Sequence, residues 1–253
     1  MKNIILEKLN KIELQKNIKI IYAVEAGSRA YGLNSQQSDY DVRFIYIRPL
    51  DFYLKLEQTK DTLEFSITDQ LDINGWDLQK TLRLLYASNP TIFEWFKSST
   101  IYKETETSKE LNETIKDYFI PQKSIHHYFS MAKKNYKEYF KEETVELKKY
   151  FYVLRPILAC NYILQNQEPP PILFNKLQKQ LPKTLLEETD KLIFTRINEP
   201  NLKKIHRVKI IDEYITSQLN MIQQEIPKLP QNNQNKYNKL NDLFSKCIKE
   251  YNI

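Results

Sequence analysis

A short stretch near the amino-terminal end constrains this chain most, because it joins a glycine-marked turn to two closely spaced carboxylates. An apolar run at residues 18–24 predicts a buried strand, so Gly27 and Ser28 fall where the backbone turns. Backbone N–H groups in such a turn can face an anion. Asp39 and Asp41 follow ten residues later and lead into a second apolar run. The pattern predicts two strands with an anion-binding turn beside a pair of acids.

The two acids suit a metal ion. Side chains alternate along a strand, so Asp39 and Asp41 share one face if the second strand begins near Asp39. Magnesium takes oxygen ligands and usually binds one or two carboxylates together with substrate phosphates. Two such metals about 4 Å apart can hold the attacking and leaving oxygens of an in-line displacement. We therefore predict that Asp39 and Asp41 hold Mg²⁺.

The turn suits a triphosphate. Gly27 lets the backbone approach a phosphate closely, and the Ser28 hydroxyl and N–H can donate hydrogen bonds to it. Arg29 and Arg43 are predicted to neutralise phosphate charge. The alternative is a tight turn between strands, with Asp39 and Asp41 as solvated loop acids. A Gly-Ser or an Asp-x-Asp alone is not specific, but their joint spacing favours the functional interpretation.

The joint motif resembles the signature of the DNA polymerase beta-like nucleotidyltransferase superfamily in its minimal form. Longer segments resemble the bacterial and phage YcgL-type family of predicted nucleotidyltransferases, which is associated with RNA repair. They lie at residues 25–32, 38–46, 75–78, 88–90, 94–95, 148–150, 154–156 and 169–171. The resemblance therefore covers most of the chain and is not confined to the first motif.

This resemblance implies a Mg²⁺-dependent nucleotidyltransferase that moves a nucleoside monophosphate from an NTP, with ATP expected, to an acceptor hydroxyl. Pyrophosphate would leave, and the acceptor would be an RNA end, a protein side chain or a small molecule. It also implies a third carboxylate that serves as metal ligand and general base, best matched by Asp72. Asp77 is the competitor, but it precedes residues 78–85, where an Asp serves more simply as a helix N-cap.

Three residues further along the chain also lie in matching segments. By resemblance, Lys149, Tyr150 and Arg155 complete the nucleotide pocket from the second domain. An equally supported alternative is that Tyr150 and Arg155 anchor one helix against its neighbour. Two departures from the family pattern limit the comparison. Ala26 stands where relatives often carry a second small polar residue, one that can donate a hydrogen bond to phosphate, and Gln79 stands where a basic residue is common.

Composition predicts a folded protein with an anionic partner. The 253 residues are 41% hydrophobic, with a formal charge of +6 and a pI near 9.0. An alternative is that the positive charge reflects a general abundance of lysine in the sequence and not a surface that binds an anion. Cys160 and Cys247 are far apart, which is typical of a reduced cytoplasmic protein. No run of 18 apolar residues occurs, so we expect no membrane span.

The hydrophobic pattern predicts an α+β fold, with a small mixed-sheet nucleotidyltransferase domain at residues 1–107 and an all-helical domain at residues 108–253. The chain is predicted to begin with an amphipathic helix. Strands are predicted at residues 18–24, 41–47 and 64–73, followed by a helix from residue 78 to near residue 88. Further helices are predicted at residues 125–149, 151–165, 172–180, 185–194 and 212–225. Residues 229–235 predict an exposed linker before a last helix.

Aromatic and basic residues alternate in the second half. The aromatics are Tyr128, Phe129, Tyr136, Tyr139, Phe140, Tyr150, Phe151 and Tyr152, and the lysines are Lys133, Lys134, Lys137, Lys141, Lys148 and Lys149. Such a set can stack bases and bind phosphates. The favoured alternative is a helix with an aromatic core stripe and a solvated lysine face.

Two functions compete with nucleotidyl transfer. One is a non-catalytic, antitoxin-like protein that binds and neutralises a partner, although intact acids argue against a purely passive role. The other is a fused nuclease with an Arg followed by four to six residues and a His. None of the three histidines satisfies that pattern, so this class is excluded.

Overall fold

The computed structural model describes residues 1–57, 59–65, 70–199, 201–229 and 237–250. Its strands are β1 (Lys19–Glu25), β2 (Tyr40–Ile47), β3 (Thr62–Glu64), β4 (Leu71–Asp77), β5 (Ile101–Glu104), β6 (Thr144–Glu146) and β7 (Lys204–His206). The helices of the first half are α1 (Lys2–Lys16), α2 (Gly27–Ala30), α3 (Leu50–Tyr53), α4 (Leu78–Tyr86), α5 (Pro90–Phe96) and α6 (Glu106–Ile115). Those of the second half are α7 (Pro121–Tyr139), α8 (Leu147–Asn166), α9 (Phe174–Leu177), α10 (Lys183–Asn198), α11 (Lys209–Glu225) and α12 (Tyr237–Glu250).

The described residues form two compact units. The first contains Met1–Ala30, Asp39–Tyr118 and α12, and the second contains Tyr31–Ser38 and the described part of Phe119–Asn233. The division into domains at residue 107 stays a prediction.

A five-stranded mixed sheet organises the first unit. Its order is β3-β4-β2-β1-β5, in which only β2 and β4 are parallel neighbours. One face carries Val42, Phe44 and Tyr46 of β2, which cluster with Ile5 and Leu9 of α1. The side chains that alternate with these along β2 point to the other face of the sheet, because successive residues of a strand point to opposite faces. The central strands are therefore buried on both faces, as their unbroken apolar runs predict.

Helix α4 begins directly after β4. Asp77 is its N-cap, with the side chain accepting a hydrogen bond from the N–H of Gln79 at 2.8 Å. Leu78, Leu82 and Leu85 are buried along one face, which confirms the predicted apolar side of this helix. The helix ends at Tyr86, two residues before the predicted end.

The second unit is helical apart from one short ribbon. Helices α7 and α8 pack against each other, and most of α8 is buried. Strands β6 and β7 pair in antiparallel register, with Val145 opposite Ile205. The prediction of one helix over residues 125–149 is wrong, because α7 ends at Tyr139 and β6 intervenes before α8. The predicted helix at residues 172–180 is reduced to α9 and a 3-10 turn at Gln178–Gln180.

The α+β fold with a helical second half is confirmed, and so are the initial helix and the strands predicted at residues 18–24 and 41–47. The single strand predicted at residues 64–73 is wrong, since β3 ends at Glu64 and β4 begins at Leu71. Residues 66–69 of that prediction and most of the linker predicted at residues 229–235 lie outside the described residues. Among the described helices, none combines the length and apolar character that crossing a membrane requires.

Candidate active site

Two acids from neighbouring strands meet at the centre of the sheet in the first unit. Asp41 and Asp72 are register partners in the parallel pair β2 and β4. Neighbouring strands lie about 4.8 Å apart, so the two side chains emerge next to each other on the same face. Each carboxylate side chain keeps about a quarter of its surface exposed, at 26% and 27%. The pair is therefore open to a ligand.

Arg43 holds these two carboxylates together. Its Nη2 donates to Asp41 Oδ1 at 3.1 Å and to Asp72 Oδ2 at 2.7 Å. Its Nη1 donates to the backbone carbonyls of Val42 and Asp72 at 3.1 and 3.2 Å. The guanidinium is thereby fixed over both strands and neutralises part of the paired negative charge.

The Gly27 turn lies directly against the Asp41 carboxylate. Gly27 has a φ of +59°, and a Cβ added there would meet Asp41 Oδ2 at 1.8 Å. A side chain at this position would occupy the space of the carboxylate, so only glycine fits. The N–H of Ala26 also donates to the carbonyl of Asp41 at 2.8 Å. Turn and acid thus form one local structure, and half-buried Ser28 follows within α2.

Asp39 lies immediately before β2, so strand alternation puts it on the same side as Asp41. Arg29 contacts the residues at the start of this strand. Its Nε donates to the carbonyl of Asp39 at 3.1 Å, and its guanidinium lies 3.7 Å from the centre of the Tyr40 ring. These contacts place Arg29 beside the acids, and its role towards phosphate stays a prediction.

A buried acid that sequence analysis did not single out accepts a hydrogen bond from the backbone of Asp41. Glu25, at the end of β1, is only 2% exposed. Its Oε1 accepts the backbone N–H of Asp41 at 2.9 Å, and Tyr102 donates its hydroxyl hydrogen to Oε2. The sequence does show a charged residue at the end of an apolar strand. Its role could not be predicted from that position, because its two hydrogen-bond partners come from β2 and β5.

Burial dominates the electrostatics of the acids. It raises the pKa of Asp41, and the neighbouring charges of Asp72 and Asp39 raise it further, while Arg43 lowers it. Burial also raises the pKa of Glu25, against the hydrogen bonds from Tyr102 and from the N–H of Asp41. The site therefore concentrates negative charge and is stabilised by added positive charge.

The donor set fits magnesium. Among the described residues, no group of three or more His, Cys, Asp or Glu side chains is arranged to hold a metal ion. Mg²⁺ needs no such cage, since one or two carboxylates plus substrate phosphates suffice. Asp41 and Asp72 supply two hard oxygen donors side by side. Participation of Asp39 in the metal site stays a prediction.

Comparison with known proteins identifies the family of this chain. The model of a family described as RlaP, the RNA repair pathway DNA polymerase beta family, matches residues 1–246. The chain belongs to the RNA repair pathway DNA polymerase beta family. It is also 39% identical over 253 residues to the uncharacterized protein YcgL of Bacillus subtilis (strain 168), across 99% of this chain and 97% of that protein. The predicted family resemblance is confirmed.

In this RNA repair pathway DNA polymerase beta family member, Asp77 has a structural role. Besides capping α4, its carboxylate accepts the hydroxyl hydrogen of Tyr53 at 3.0 Å and is only 3% exposed. Burial raises the pKa of Asp77 to about 6. These contacts agree with the capping argument that favours Asp72 as the third acid.

The three candidates from the later segments lie in the second unit. Tyr150 is fully buried, accepts the N–H of Val208 at 2.7 Å and donates to Asp212 at 3.3 Å. Its contacts support the anchoring alternative. Arg155, also buried, lies 3.6 Å from the centre of the Tyr31 ring. Lys149 lies over tyrosine rings, and a role of any of the three in nucleotide binding stays a prediction.

Proposed function

We propose that this chain is a Mg²⁺-dependent nucleotidyltransferase that moves a nucleoside monophosphate from an NTP, with ATP expected, to the hydroxyl of an RNA end. The observation that carries the proposal is the in-register pair Asp41 and Asp72, bridged by Arg43 beside the Gly27 turn. Membership of a family described by RNA repair and by DNA polymerase beta supports both the reaction and the acceptor.

Asp41 and Asp72, joined by Asp39, would hold the metal. When bound, Mg²⁺ neutralises charge on the phosphate oxygens and orients the attacking and leaving oxygens for in-line displacement. The acids themselves favour the metal, because several negative charges lie close together here and a divalent cation that arrives with the nucleotide neutralises them.

The turn and the arginines would hold the triphosphate. The backbone N–H groups at Gly27 and Ser28 donate to phosphate oxygens, and the glycine leaves room for close approach. Arg29 and Arg43 supply positive charge next to the acids. In this assignment Arg43 turns from the carboxylates to the phosphates when the nucleotide binds.

Asp72 is assigned as the general base. Its Oδ2 accepts from Arg43 in the protein without ligand, and the turn of Arg43 to the phosphates frees this carboxylate to take the proton of the acceptor hydroxyl. The acceptor oxygen then bonds to the α-phosphorus, and the bond from that phosphorus to the bridging oxygen of the leaving pyrophosphate breaks. The free, buried Cys160 and Cys247 support a reducing cytoplasmic setting for this reaction.

The test is incubation of the purified protein with each labelled NTP, Mg²⁺, and separated RNA and protein fractions from a bacterial extract. An Asp39→Asn, Asp41→Asn double variant is assayed beside it. We expect label to enter the RNA fraction with the parent protein alone. Label in the protein fraction would show that a protein, and not RNA, is the acceptor. If no label is transferred and no nucleotide binds, the partner-binding function is favoured.

A further inference from the structure

The segment Tyr31–Ser38 separates the two halves of the candidate site in the sequence. Gly27 and Ser28 precede it, and Asp39 follows it directly. We call this segment the motif loop. The residues on both sides of it belong to the first unit, but the motif loop itself belongs to the second. The residues that hold the loop are therefore found among the helices of the second unit.

Arg155 and Phe174 hold the start of the motif loop. The guanidinium of Arg155, a buried residue of α8, lies 3.6 Å from the centre of the Tyr31 ring. The N–H of Phe174, the first residue of α9, donates to the carbonyl of Tyr31 at 2.9 Å. A cation over an aromatic face attracts the ring most strongly where water is excluded. Both the side chain and the backbone of Tyr31 are thus fixed.

Arg196 holds the middle of the motif loop at Leu33, which is 4% exposed and belongs to the hydrophobic core of the second unit. Nε of Arg196, in the last turn of α10, donates to the carbonyl of Leu33 at 2.5 Å. Burial lowers the pKa of Arg196, and within the described part of the chain no carboxylate forms an ion pair with it. A cation that is partly removed from water without an acid needs hydrogen bonds in compensation, and the loop carbonyl supplies one.

The end of the motif loop forms a turn of its own. The N–H of Ser38 donates to the carbonyl of Ser35 at 3.1 Å, and the N–H of Ser35 donates to Oγ of Ser38 at 2.9 Å. This turn links the anchored part of the loop to Asp39, which follows Ser38 directly. Gly32 lies between the two anchored residues, and a methyl group added there would meet Leu173 Cδ2 at an ordinary contact distance of 3.5 Å. A Gly32→Ala substitution therefore leaves both arginine contacts in place.

Asp39 depends on the motif loop more than Asp41 does. Asp41 lies inside β2, in register with Asp72, so strand pairing fixes its backbone. Asp39 precedes that strand and directly follows the loop. Arg29 of α2, which donates to the carbonyl of Asp39, lies two residues before Tyr31. Because bonded neighbours have Cα atoms about 3.8 Å apart, a displaced loop displaces the residues on both sides of it.

We propose that Arg155 and Arg196 are positioning residues of the proposed reaction, which hold Asp39 and the Gly27 turn in place through the motif loop. Neither arginine needs to touch the nucleotide for this role. The alternative is that the two arginines stabilise the second unit alone, so that their loss leaves the residues beside the loop unchanged. The catalytic consequence rests on the proposed function, but the mobility of these residues is measurable without substrate.

The first test is amide hydrogen exchange of the full chain, followed by NMR without nucleotide. The reporters are the N–H groups of Ala30 and Tyr40 on either side of the loop, which donate to backbone carbonyls outside it at 3.4 and 2.7 Å. We expect Arg196→Ala to raise the exchange rate at both about tenfold, the effect of losing one charge-assisted hydrogen bond. Phe44, in the middle of β2, should exchange at the parental rate.

The other anchor is tested by Tyr31→Leu, which removes the ring beside Arg155 but keeps an apolar side chain. It should raise exchange at the same two reporters. Tyr31→Phe keeps the ring and Arg196→Lys keeps a donor, so both should restore most of the parental protection. The matched control is Arg207→Ala, since Arg207 belongs to the same unit and donates to the carbonyl of Phe140 at 3.3 Å, outside the loop.

The second test is the Mg²⁺ dependence of label transfer from an NTP. Because Asp39 is assigned to the metal, Arg196→Ala and Tyr31→Leu should need about tenfold more Mg²⁺ for half-maximal transfer, as expected when the support of a metal ligand is lost. Arg207→Ala should show the parental Mg²⁺ dependence. A purely structural role of the two arginines would lower the amount of folded protein without moving this midpoint.

Two results would overturn this inference. One is exchange in Arg196→Ala and Tyr31→Leu that rises within the loop alone, or that rises equally at Phe44. The other is a parental Mg²⁺ dependence in both variants despite faster exchange at Ala30 and Tyr40. Absence of transfer by the parent protein counts against the proposed function alone, because hydrogen exchange still reports whether the two arginines hold the residues beside the loop.

Discussion

Asp41 and Asp72 are register partners on parallel strands, and both accept hydrogen bonds from one nitrogen, Nη2 of Arg43, at 3.1 and 2.7 Å. Two neighbouring carboxylates repel each other, so a shared cation stabilises the folded site. The arginine supplies that cation in the protein without ligand. Magnesium would supply it in the proposed reaction, which makes the two cations exchangeable partners of the same acids.

This exchange predicts the behaviour of Arg43→Gln. Without Mg²⁺ the variant should unfold at a lower temperature, because removal of the charged hydrogen bonds costs about 2 kcal/mol. Added Mg²⁺ should then raise the melting temperature of the variant more than that of the parent, since the acids lack their internal cation. Arg207→Gln is the matched control, since Arg207 forms an ion pair with Asp212 at 2.7 Å and, within the described part of the chain, with no second acid. An equal Mg²⁺ response in parent and Arg43→Gln would show that the metal does not bind at these acids.

A second prediction concerns the glycine turn. Gly27→Ala should reduce nucleotidyl transfer at least a hundredfold, because the new methyl group must displace the Asp41 carboxylate. Gly32→Ala is the control, since Gly32 also has a positive φ, +70°, but its nearest neighbour to a new Cβ is Leu173 Cδ2 at 3.5 Å. Both variants should lose about 1 kcal/mol of stability from backbone strain. Equal activities in label-transfer assays would refute the proposed contact between turn and acid.

Glu25 is predicted to be a positioning residue for Asp41. Glu25→Ala leaves the N–H of Asp41 without its acceptor, which should cost about 1–3 kcal/mol and lower kcat with little change in KM for the nucleotide. Glu25→Gln keeps an oxygen at the Oε1 position and should retain most activity. Steady-state kinetics of the two variants show whether the hydrogen bond or the charge of Glu25 supports catalysis. If both lose kcat equally, the charge of Glu25 matters and its hydrogen bond to Asp41 does not.

Asp77 gives a prediction for stability as a function of pH. Burial raises its pKa from 3.8 to about 6, so between these values the folded protein keeps a proton that the unfolded chain releases. The stabilisation from this proton is present below pH 4 and is lost as the pH rises through 6, by about 3 kcal/mol. Asp77→Asn cannot titrate but keeps the N-cap oxygen. Its free energy of unfolding, relative to that of the parent, should therefore rise between pH 4 and 7 in urea titrations, and a constant difference would rule out the shifted pKa.

Local patterns in the sequence predict the elements that support the site. The apolar runs before Gly27 and after Asp41 identify β1 and β2, because buried central strands have no polar alternation. The position of Asp77 before Leu78 identifies the start of α4, because a short acidic side chain caps helices well. In each case the interaction that decides the structure lies within a few residues.

Long-range partners explain what the sequence did not predict. Residues 140–146 continue the helical spacing of α7, but β6 pairs with β7 about sixty residues later in the chain, and no local period encodes that contact. The role of Glu25 depends on the N–H of Asp41 and the hydroxyl of Tyr102, which come from other strands. The bridge from Arg43 to Asp72 likewise requires the parallel register of β2 and β4.

The most direct test of the central claim compares ATP labelled at the α-phosphate with ATP labelled at the γ-phosphate, using defined RNA, Mg²⁺ and the purified protein. Nucleotidyl transfer predicts that the RNA gains the α-label and that the γ-label appears in pyrophosphate. It also predicts that Asp41→Asn and Asp72→Asn each abolish both signals while remaining folded. Transfer of the γ-label to RNA, or transfer of the α-label that survives both substitutions, would contradict the assignment of this site.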